Sequence, residues 1–474
     1  MKRTAMETIP KTTFALFFGN RGFFPASLIA EARNEIQLRL EQMGHQVLML
    51  EESATRHGAV ETRAEARRYA EFLSQHRGKF GGVILSLPNF GDESGAVMAL
   101  QDAGVPILIH AYPDELDKMG PTMRRDSFCG KLSIMDVFCQ YGIKFTALQP
   151  HTVAPASQAF EANIDYFDRL CRVVGGMRRM TIGAIGARTT AFKTVRIDEL
   201  TLQRHGITIE TMDLSDVFLR IEALDANHKA VREKAAFLIG YTDFSAVPGQ
   251  AVTNMARLGV VLDQITEEFQ LDALAIRCWI ELQKKLHISP CTLLSELNNR
   301  GVATACEVDI GSAVMMRALR LASGQVTTCL DWNNNYGDDP DKCILFHCGP
   351  VPQKMMRAKG KVTDHSMLAH AVGPGCSWGC NTGRMAPMPI TFGNVLTQDG
   401  RIKCYVGEGR FTEDEIAEDF FGCAGVVQIA NLQKLLQTIG MTGHRHHVGV
   451  TPGHVAGPIR EAFSAYLGYE VTQA

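Results

Sequence analysis

Over the first two thirds of the chain, short apolar runs alternate with longer runs of helical period, and few folds satisfy that rhythm. TFALFFG, QVLML, GGVILSL and VPILIHA are rich in strand-favouring residues. Between the first three lie ASLIAEARNEIQLRLEQMG and ARRYAEFLSQHRG, whose apolar positions follow a helical repeat. A second series begins at MTIGAIGAR and continues through VRIDELTLQRHG, ITIETMDL, the helical stretch Val252 to Phe269, LDALAIRCW, LLSELNNRG, VATACEVD and IGSAVMMRALRLASG to QVTTCLDW. Strand–helix alternation of this kind predicts an α/β fold built on doubly wound parallel sheets. We expect one such domain over residues 1–172 and a second over 173–345. Past about residue 345 prolines and glycines replace helices. MAPMPITFGNVLTQDGRIKCYVGEG reads as two strands joined through Gln398, Asp399 and Gly400, with GVVQIANLQKLLQTIG and PIREAFSAYLG as the remaining helix-like runs. A smaller β-rich domain over 346–474 is the expectation.

With 474 residues, two or three domains are the natural division. A net charge of -3 leaves no basic field to hold nucleic acid. No apolar stretch approaches the roughly 18 residues that span a bilayer. The early cations Lys2 and Arg3 precede an apolar run, Phe14 to Phe18, too short for a signal-peptide core, so a cytoplasmic location is expected. Thirteen cysteines scattered through apolar runs suit reduced, buried thiols, and Cys376 and Cys380 lack a second pair at zinc-site spacing.

In parallel sheets ligands gather at the carboxyl ends of strands. In the first series those ends carry Asn20 and Arg21, then Asn89, Asp92 and Glu93, then His110 and Tyr112. In the second, VATACEVD and QVTTCLDW each end in an acid, Glu307 or Asp331. Their separation, 331 − 307 = 24 residues, suits one crossover unit that would set the two strands side by side. Paired carboxylates repel, and a divalent cation with oxygen ligands is the simple remedy; added imidazole moves the preference toward Mn²⁺. Imidazoles are offered by His347 and by the cluster His444, His446, His447 and His454. Helix-capping acids and surface histidines are the plainer alternative. The asparagine-rich stretch Asn333 to Asp341, between the acid and His347, reads as a loop bordering the same place. Trp279 either stacks on a sugar face or belongs to the core; His110, His365, His370 and His454 read as structural or surface groups.

CEVD, IRCWIELQ, DWNNNYGDD, TGRMAP with ITFGNV, YVGEGRF and the HH pair together resemble the L-fucose isomerase and L-arabinose isomerase superfamily, over nearly the whole chain. The resemblance implies two Rossmann-like domains followed by a β-barrel-like one, and a metal-dependent aldose–ketose isomerase using Mn²⁺ or another divalent ion. By position it makes Glu307 and Asp331 the metal-binding acid/base pair and His447 the remote histidine ligand, with His446 its neighbour. His347 corresponds to a further histidine near the metal in the arabinose branch. Arg21 corresponds to an arginine that reaches the sugar, often in an adjacent subunit's site, which implies a homo-oligomer, with a hexamer favoured.

Moving a proton between C1 and C2 of an open-chain sugar needs a base, an acid and stabilisation of an enediolate, and two carboxylates with a cation supply these. The chain is shorter than typical fucose isomerases and carries its own polar loop. The substrate expectation is therefore a pentose, a 6-deoxyhexose or a 6-substituted, possibly sulfonated, hexose. An anionic end would call for an arginine such as Arg21, Arg124, Arg188 or Arg384. Two other classes remain. One is a sugar-binding sensor that lost catalysis; the other is a nicotinamide-dependent oxidoreductase, allowed by the strand and GxxG at Gly183 but lacking the full three-glycine fingerprint.

Overall fold

The computed structural model describes Met6 and residues 8–473. Lys2 and Arg3 lie outside the described residues. The chain divides into two compact units, Pro10–Gly175 and the remainder.

In the first unit β1 (Phe14–Phe18), β2 (Val47–Met49), β3 (Gly82–Leu87) and β4 (Ile107–Ala111) form a parallel sheet in the order β2-β1-β3-β4. Strands β1, β3 and β4 are buried at every position. That is why they read as continuous apolar runs instead of alternating ones: helices cover both faces. Phe17, Tyr69, Leu85, Ile109 and Phe138 belong to the resulting core. The helix Arg63–Gln75 starts from a capping box in which Thr62 and Glu65 satisfy each other's backbone amides.

The second unit opens with β5 (Met180–Ile185), β6 (Ile207–Met212), β7 (Ala273–Ile276) and β8 (Ala303–Cys306), again all parallel, in the order β6-β5-β7-β8. Nine further strands follow: β9 (Thr328–Asn335), β10 (Lys342–His347), β11 (Lys361–Asp364), β12 (Trp378–Arg384), β13 (Met388–Gln398), β14 (Arg401–Phe411), β15 (Cys423–Gln428), β16 (His447–Pro452) and β17 (Glu470–Val471). They form one sheet in the order β11-β12-β15-β10-β9-β16-β13-β14-β17. An additional pairing of β14 with β15, Phe411 opposite Val427, closes its middle into an antiparallel barrel of β15, β10, β9, β16, β13 and β14. The chain is thus an α/β protein with two parallel sheets and a large β-rich C-terminal sheet. The turn between β13 and β14 is Asp399-Gly400, both at positive φ (52° and 72°), as a two-residue hairpin loop requires.

Three expectations are corrected. The CLDW strand does not lie beside the CEVD strand: β8 is the edge of the second parallel sheet, whereas β9 pairs antiparallel with β10 and β16 in the barrel. The reason is visible in its burial, which runs from buried Thr328 to exposed Asn335. Such a strand does not suit a sheet covered on both faces, but it suits an antiparallel ribbon with one open end. Second, Asn333 to Asn335 are not loop; they extend β9, and the turn proper spans Tyr336 to Asp341. Third, GVVQIANLQKLLQTIG is not one helix. Its first part is β15, and a helix starts only at Leu432, after Asn431 takes a left-handed conformation (φ 57°).

The helix Ile310–Ser323 joins the parallel sheet to the barrel. It packs on β7 and β8 and also on β13 and β16, so every residue but Arg317 and Ser323 is buried. The methionines Met315 and Met316 are packing residues, both fully buried. At Gly311 a Cβ would come within 2.2 Å of the Val395 carbonyl oxygen of β13, so the helix approaches the barrel this closely only with glycine there. Among the described residues no helix is long and apolar enough to cross a membrane.

Candidate active site

His447, the first residue of β16, stands directly opposite Asp331 of β9, and directly opposed residues in antiparallel strands present their side chains to the same face. Its Nε2 lies 3.3 Å from Asp331 Oδ1 and 2.9 Å from Glu307 Oε2. Two carboxylates, one following the parallel-sheet strand β8 and one on a barrel strand, therefore converge on one imidazole nitrogen. On the other side of the ring Nδ1 lies 2.7 Å from Asp309 Oδ2. Asp309 is fully buried; it also accepts from Arg445 Nη1 at 2.8 Å and from the Ser312 hydroxyl at 2.6 Å, and it caps the helix Ile310–Ser323. With Nδ1–H donated to Asp309, Nε2 is the nitrogen left to face the two acids.

Glu307 reaches this point through an unusual turn. Glu307 and the β-branched Val308 both lie in the left-handed region, at φ 61° and 57°. Non-glycine residues hold such angles at a cost of about 1–3 kcal/mol each, which the surrounding packing must offset. The turn brings Glu307 and Asp309, two residues apart, onto the two nitrogens of one ring. Trp279 donates its Nε1–H to Glu307 Oε1 at 3.1 Å, and the Phe192 ring lies against Trp279, His446 and His447 at centroid distances of 6.0, 5.7 and 5.8 Å.

The two acids sit in unlike surroundings. Burial pushes Asp331 above the ordinary carboxylate range, and the imidazoles of His347 and His447 pull it back only in part. Burial works upward on Glu307 too, but the His447 hydrogen bond and the charges of His447 and His347 outweigh it and hold Glu307 below that range. Burial opposes charge on His447, yet Cys329, Asp309 and Glu307 hold it well above its usual value. His347 is likewise pushed up to about 9 against burial, by Cys348 and Asp331. His446 moves the other way, lowered by burial and by the charge of His447.

Such a cluster of acids around imidazoles suits a cation. Glu307, His347 and His447 form one group, and Asp331, His446 and His447 another, with donor atoms within 4.8 Å of one another. Asp331 Oδ1 and His347 Nε2 are buried and accept or donate no hydrogen bond. Separations of 2.9 and 3.3 Å match the roughly 3 Å between adjacent ligands of an octahedral ion bound at about 2.1 Å. Carboxylates with imidazole suit a hard or borderline divalent ion. The residues fit such a group.

A pocket opens over this cluster, lined among others by Trp279, Glu307, Asp331, Phe346, His347 and His365. Of the residues singled out in the sequence, Trp279, Glu307, Asp331, His347, His446 and His447 thus lie in or beside one site. Arg21 belongs to the Pro10–Gly175 unit, where it pairs with Glu93, donates to the Gly91 carbonyl at 2.9 Å and stacks on Phe90. Between the two neighbouring histidines the geometry is unequal: the side chain of His447 is 1% exposed and clamped, whereas that of His446 is 43% exposed and 3.8 Å from Asp331. His365, taken as structural or surface, borders the pocket, and the asparagines of β9 do not line it. Arg188 and Arg384 are occupied with backbone carbonyls. Asp309 and Arg445 are not among the expected site residues, although Asp309 ends CEVD and Arg445 stands between His444 and His446.

Residues 15–178 match the domain described as "Fucose/sulfoquinovose isomerase, N-terminal domain", and residues 345–474 match "L-fucose isomerase, C-terminal domain". A sulfoquinovose isomerase of Priestia megaterium is 22% identical over 389 residues, covering 81% of this chain and 84% of that protein. One of Clostridium sp. (strain MSTE9) is 24% identical over 305 residues, covering 64% and 66%. Among solved structures, D-lactate dehydrogenase from Escherichia coli covers 56% of this chain and 82% of its own at 12% identity, with a TM-score of 0.16 that bears on neither fold nor activity. Both family domains are matched, one at each end of the chain, and relatives align across most of its length. The chain is an L-fucose isomerase-like protein, an aldose–ketose isomerase.

Proposed function

We propose that this isomerase converts a hexose sulfonated at C6 between its aldose and ketose forms through an enediol(ate), using Mn²⁺ held by Glu307, Asp331 and His447. One observation carries the reading: two carboxylates from different sheets meet on the single free nitrogen of a buried, clamped histidine. The sulfonated substrate is favoured over a pentose or a 6-deoxyhexose because the curated relatives, aligned over most of their length, are named sulfoquinovose isomerases.

When bound, the ion supplies Lewis-acid polarisation of the neighbouring C1 and C2 oxygens and charge stabilisation for the enediolate. The residues do the rest. Glu307, held below the ordinary carboxylate range by His447, and Asp331, which burial holds above it, stand as the acid/base pair that moves the proton. His347 Nε2, which has no protein partner, and His446 at the rim supply hydrogen bonds to sugar hydroxyls, and Trp279 closes one wall. Arg21 acts at the sugar across a subunit boundary in a hexamer, so sedimentation analysis is expected to give six times the 52.1 kDa chain mass; a monomeric mass in the active preparation would remove that role.

The decisive experiment treats the purified protein with EDTA and screens sulfoquinovose, common pentoses and 6-deoxyhexoses with and without added Mn²⁺. Chelation is expected to bring turnover to background, and Mn²⁺ to restore it for sulfoquinovose. Turnover undiminished by chelation would overturn the metal assignment, and restored turnover of a 6-deoxyhexose alone would overturn the sulfonated substrate.

A further inference from the structure

Behind the carboxylate–imidazole cluster lies a second group of donors of a different kind. Cys348 Sγ is 3.4 Å from Cys291 Sγ and 3.3 Å from His347 Nδ1. Cys306, Cys348 and a ring nitrogen of His347 have their donor atoms within 4.8 Å of one another. Cys306 is the last residue of β8, immediately before Glu307, while Cys348 follows His347 at the end of β10, so the same two chain segments that carry the oxygen-rich cluster also carry the thiols. Cys291 and Cys348 line the pocket and Cys348 is half-buried, which gives an entering ion a path.

Buried cysteines usually serve as small apolar fillers. Two thiols and an imidazole nitrogen within 4.8 Å of one another, with a third thiol 3.4 Å from Cys348, have the composition of a soft-metal site instead. We propose that Cys306, Cys348 and His347, with Cys291 adjoining, form a second cation site that takes a thiophilic divalent ion of the Cd²⁺ or Zn²⁺ class. Ligation replaces the S–H bonds of Cys306 and Cys348 with metal–sulfur bonds and releases two protons to solvent. His347 joins the two centres: its Nδ1, which accepts from the Cys348 backbone N–H at 2.9 Å and would exchange that bond for the ion, lies beside the thiols, and its Nε2 is left for the sugar pocket. An ion on the thiols draws on His347 and on the strand end that aims Glu307, so occupancy inhibits the isomerase. Excess Mn²⁺ does not relieve that inhibition, because thiolate ligands favour the softer ion.

The test titrates the Mn²⁺-saturated protein with Cd²⁺ and follows the ultraviolet thiolate-to-cadmium charge-transfer band, which is read whether or not the chain turns over sugar. One equivalent of Cd²⁺ is expected to develop the band. Cys348→Ser is expected to lose it, and the Cys376→Ser control to keep it. In the unaltered protein, Cd²⁺ is expected to protect Cys348 from iodoacetamide at least tenfold, read by mass spectrometry, so the result does not depend on the variant folding. Absence of the band, its persistence in Cys348→Ser, or unprotected Cys348 would each overturn the site. Inhibition without a band would place Cd²⁺ on the carboxylates instead.

Discussion

Asp331→Asn is expected to lower kcat by about 10³-fold or more, within or beyond the 10²–10⁴ that a positioned acid or base contributes, while leaving the thermal midpoint unchanged or slightly raised. The stability half follows from the surroundings of the side chain. Asp331 Oδ1 receives no hydrogen bond, and burial of its charge outweighs the attraction of His347 and of His447, 3.3 Å away, so a neutral amide of the same shape removes more cost than it forfeits. Glu307→Gln behaves differently. Its activity falls as far, but the midpoint falls too, because Glu307 is ion-paired with His447 at 2.9 Å and its charge is favoured in the fold. Steady-state assays at saturating Mn²⁺ together with thermal melts separate the two effects. Turnover of Asp331→Asn within about tenfold of the unaltered enzyme would remove Asp331 from the acid/base pair.

The acids are legible in the sequence because a carboxylate that ends a buried apolar run stands out against its surroundings. The barrel is partly legible, through the Asp-Gly turn between β13 and β14. Which sheet a strand joins is not legible at all. VATACEVD and QVTTCLDW have the spacing of a crossover unit, and the helix between them is real. That helix is buried almost all round, so it can bridge two sheets as readily as it can return to one. Spacing alone does not separate these outcomes; the exposed asparagines at the end of β9 were the available signal. The left-handed turn at Glu307 and Val308 is invisible for another reason, since neither residue type favours it and only the tertiary packing enforces it. Asp309 falls in the same gap. It reads as a helix cap, which it is, and its second duty toward His447 depends on a partner 138 positions away.

That second duty gives the other large effect. Asp309 touches no position where a sugar or ion would bind; it acts through His447, and so it is a positioning residue. Asp309→Asn keeps the volume and, with its carbonyl oxygen in the place of Oδ1, an acceptor for Arg445 and the Ser312 amide, but it puts an NH2 where Oδ2 faces His447 Nδ1 and removes the charge that fixes Nδ1–H and strengthens Nε2 as a donor. Mn²⁺ affinity is expected to fall about 10–100-fold, the usual loss when such a supporting partner is removed, and calorimetric titration measures it directly. Asp309→Ala adds a different penalty. The Arg445 side chain is only 5% exposed, and without its acid it becomes a buried, uncompensated charge, which costs about 3–5 kcal/mol. Asp309→Asn and the unaltered protein also part in acid. Burial alone would raise the Asp309 pKa, but the Arg445 charge and the His447 hydrogen bond overcome it and hold the group well below the carboxylate range. Its contribution to stability is therefore complete above the unfolded carboxylate value of about 4 and fades as pH falls toward the lower folded value. Unfolding free energy measured from neutral pH down to about pH 3 is expected to fall less steeply in Asp309→Asn than in the unaltered protein, since the variant has no such proton to take up. Equal slopes, with unchanged Mn²⁺ affinity, would mean that His447 is held by the barrel strand alone.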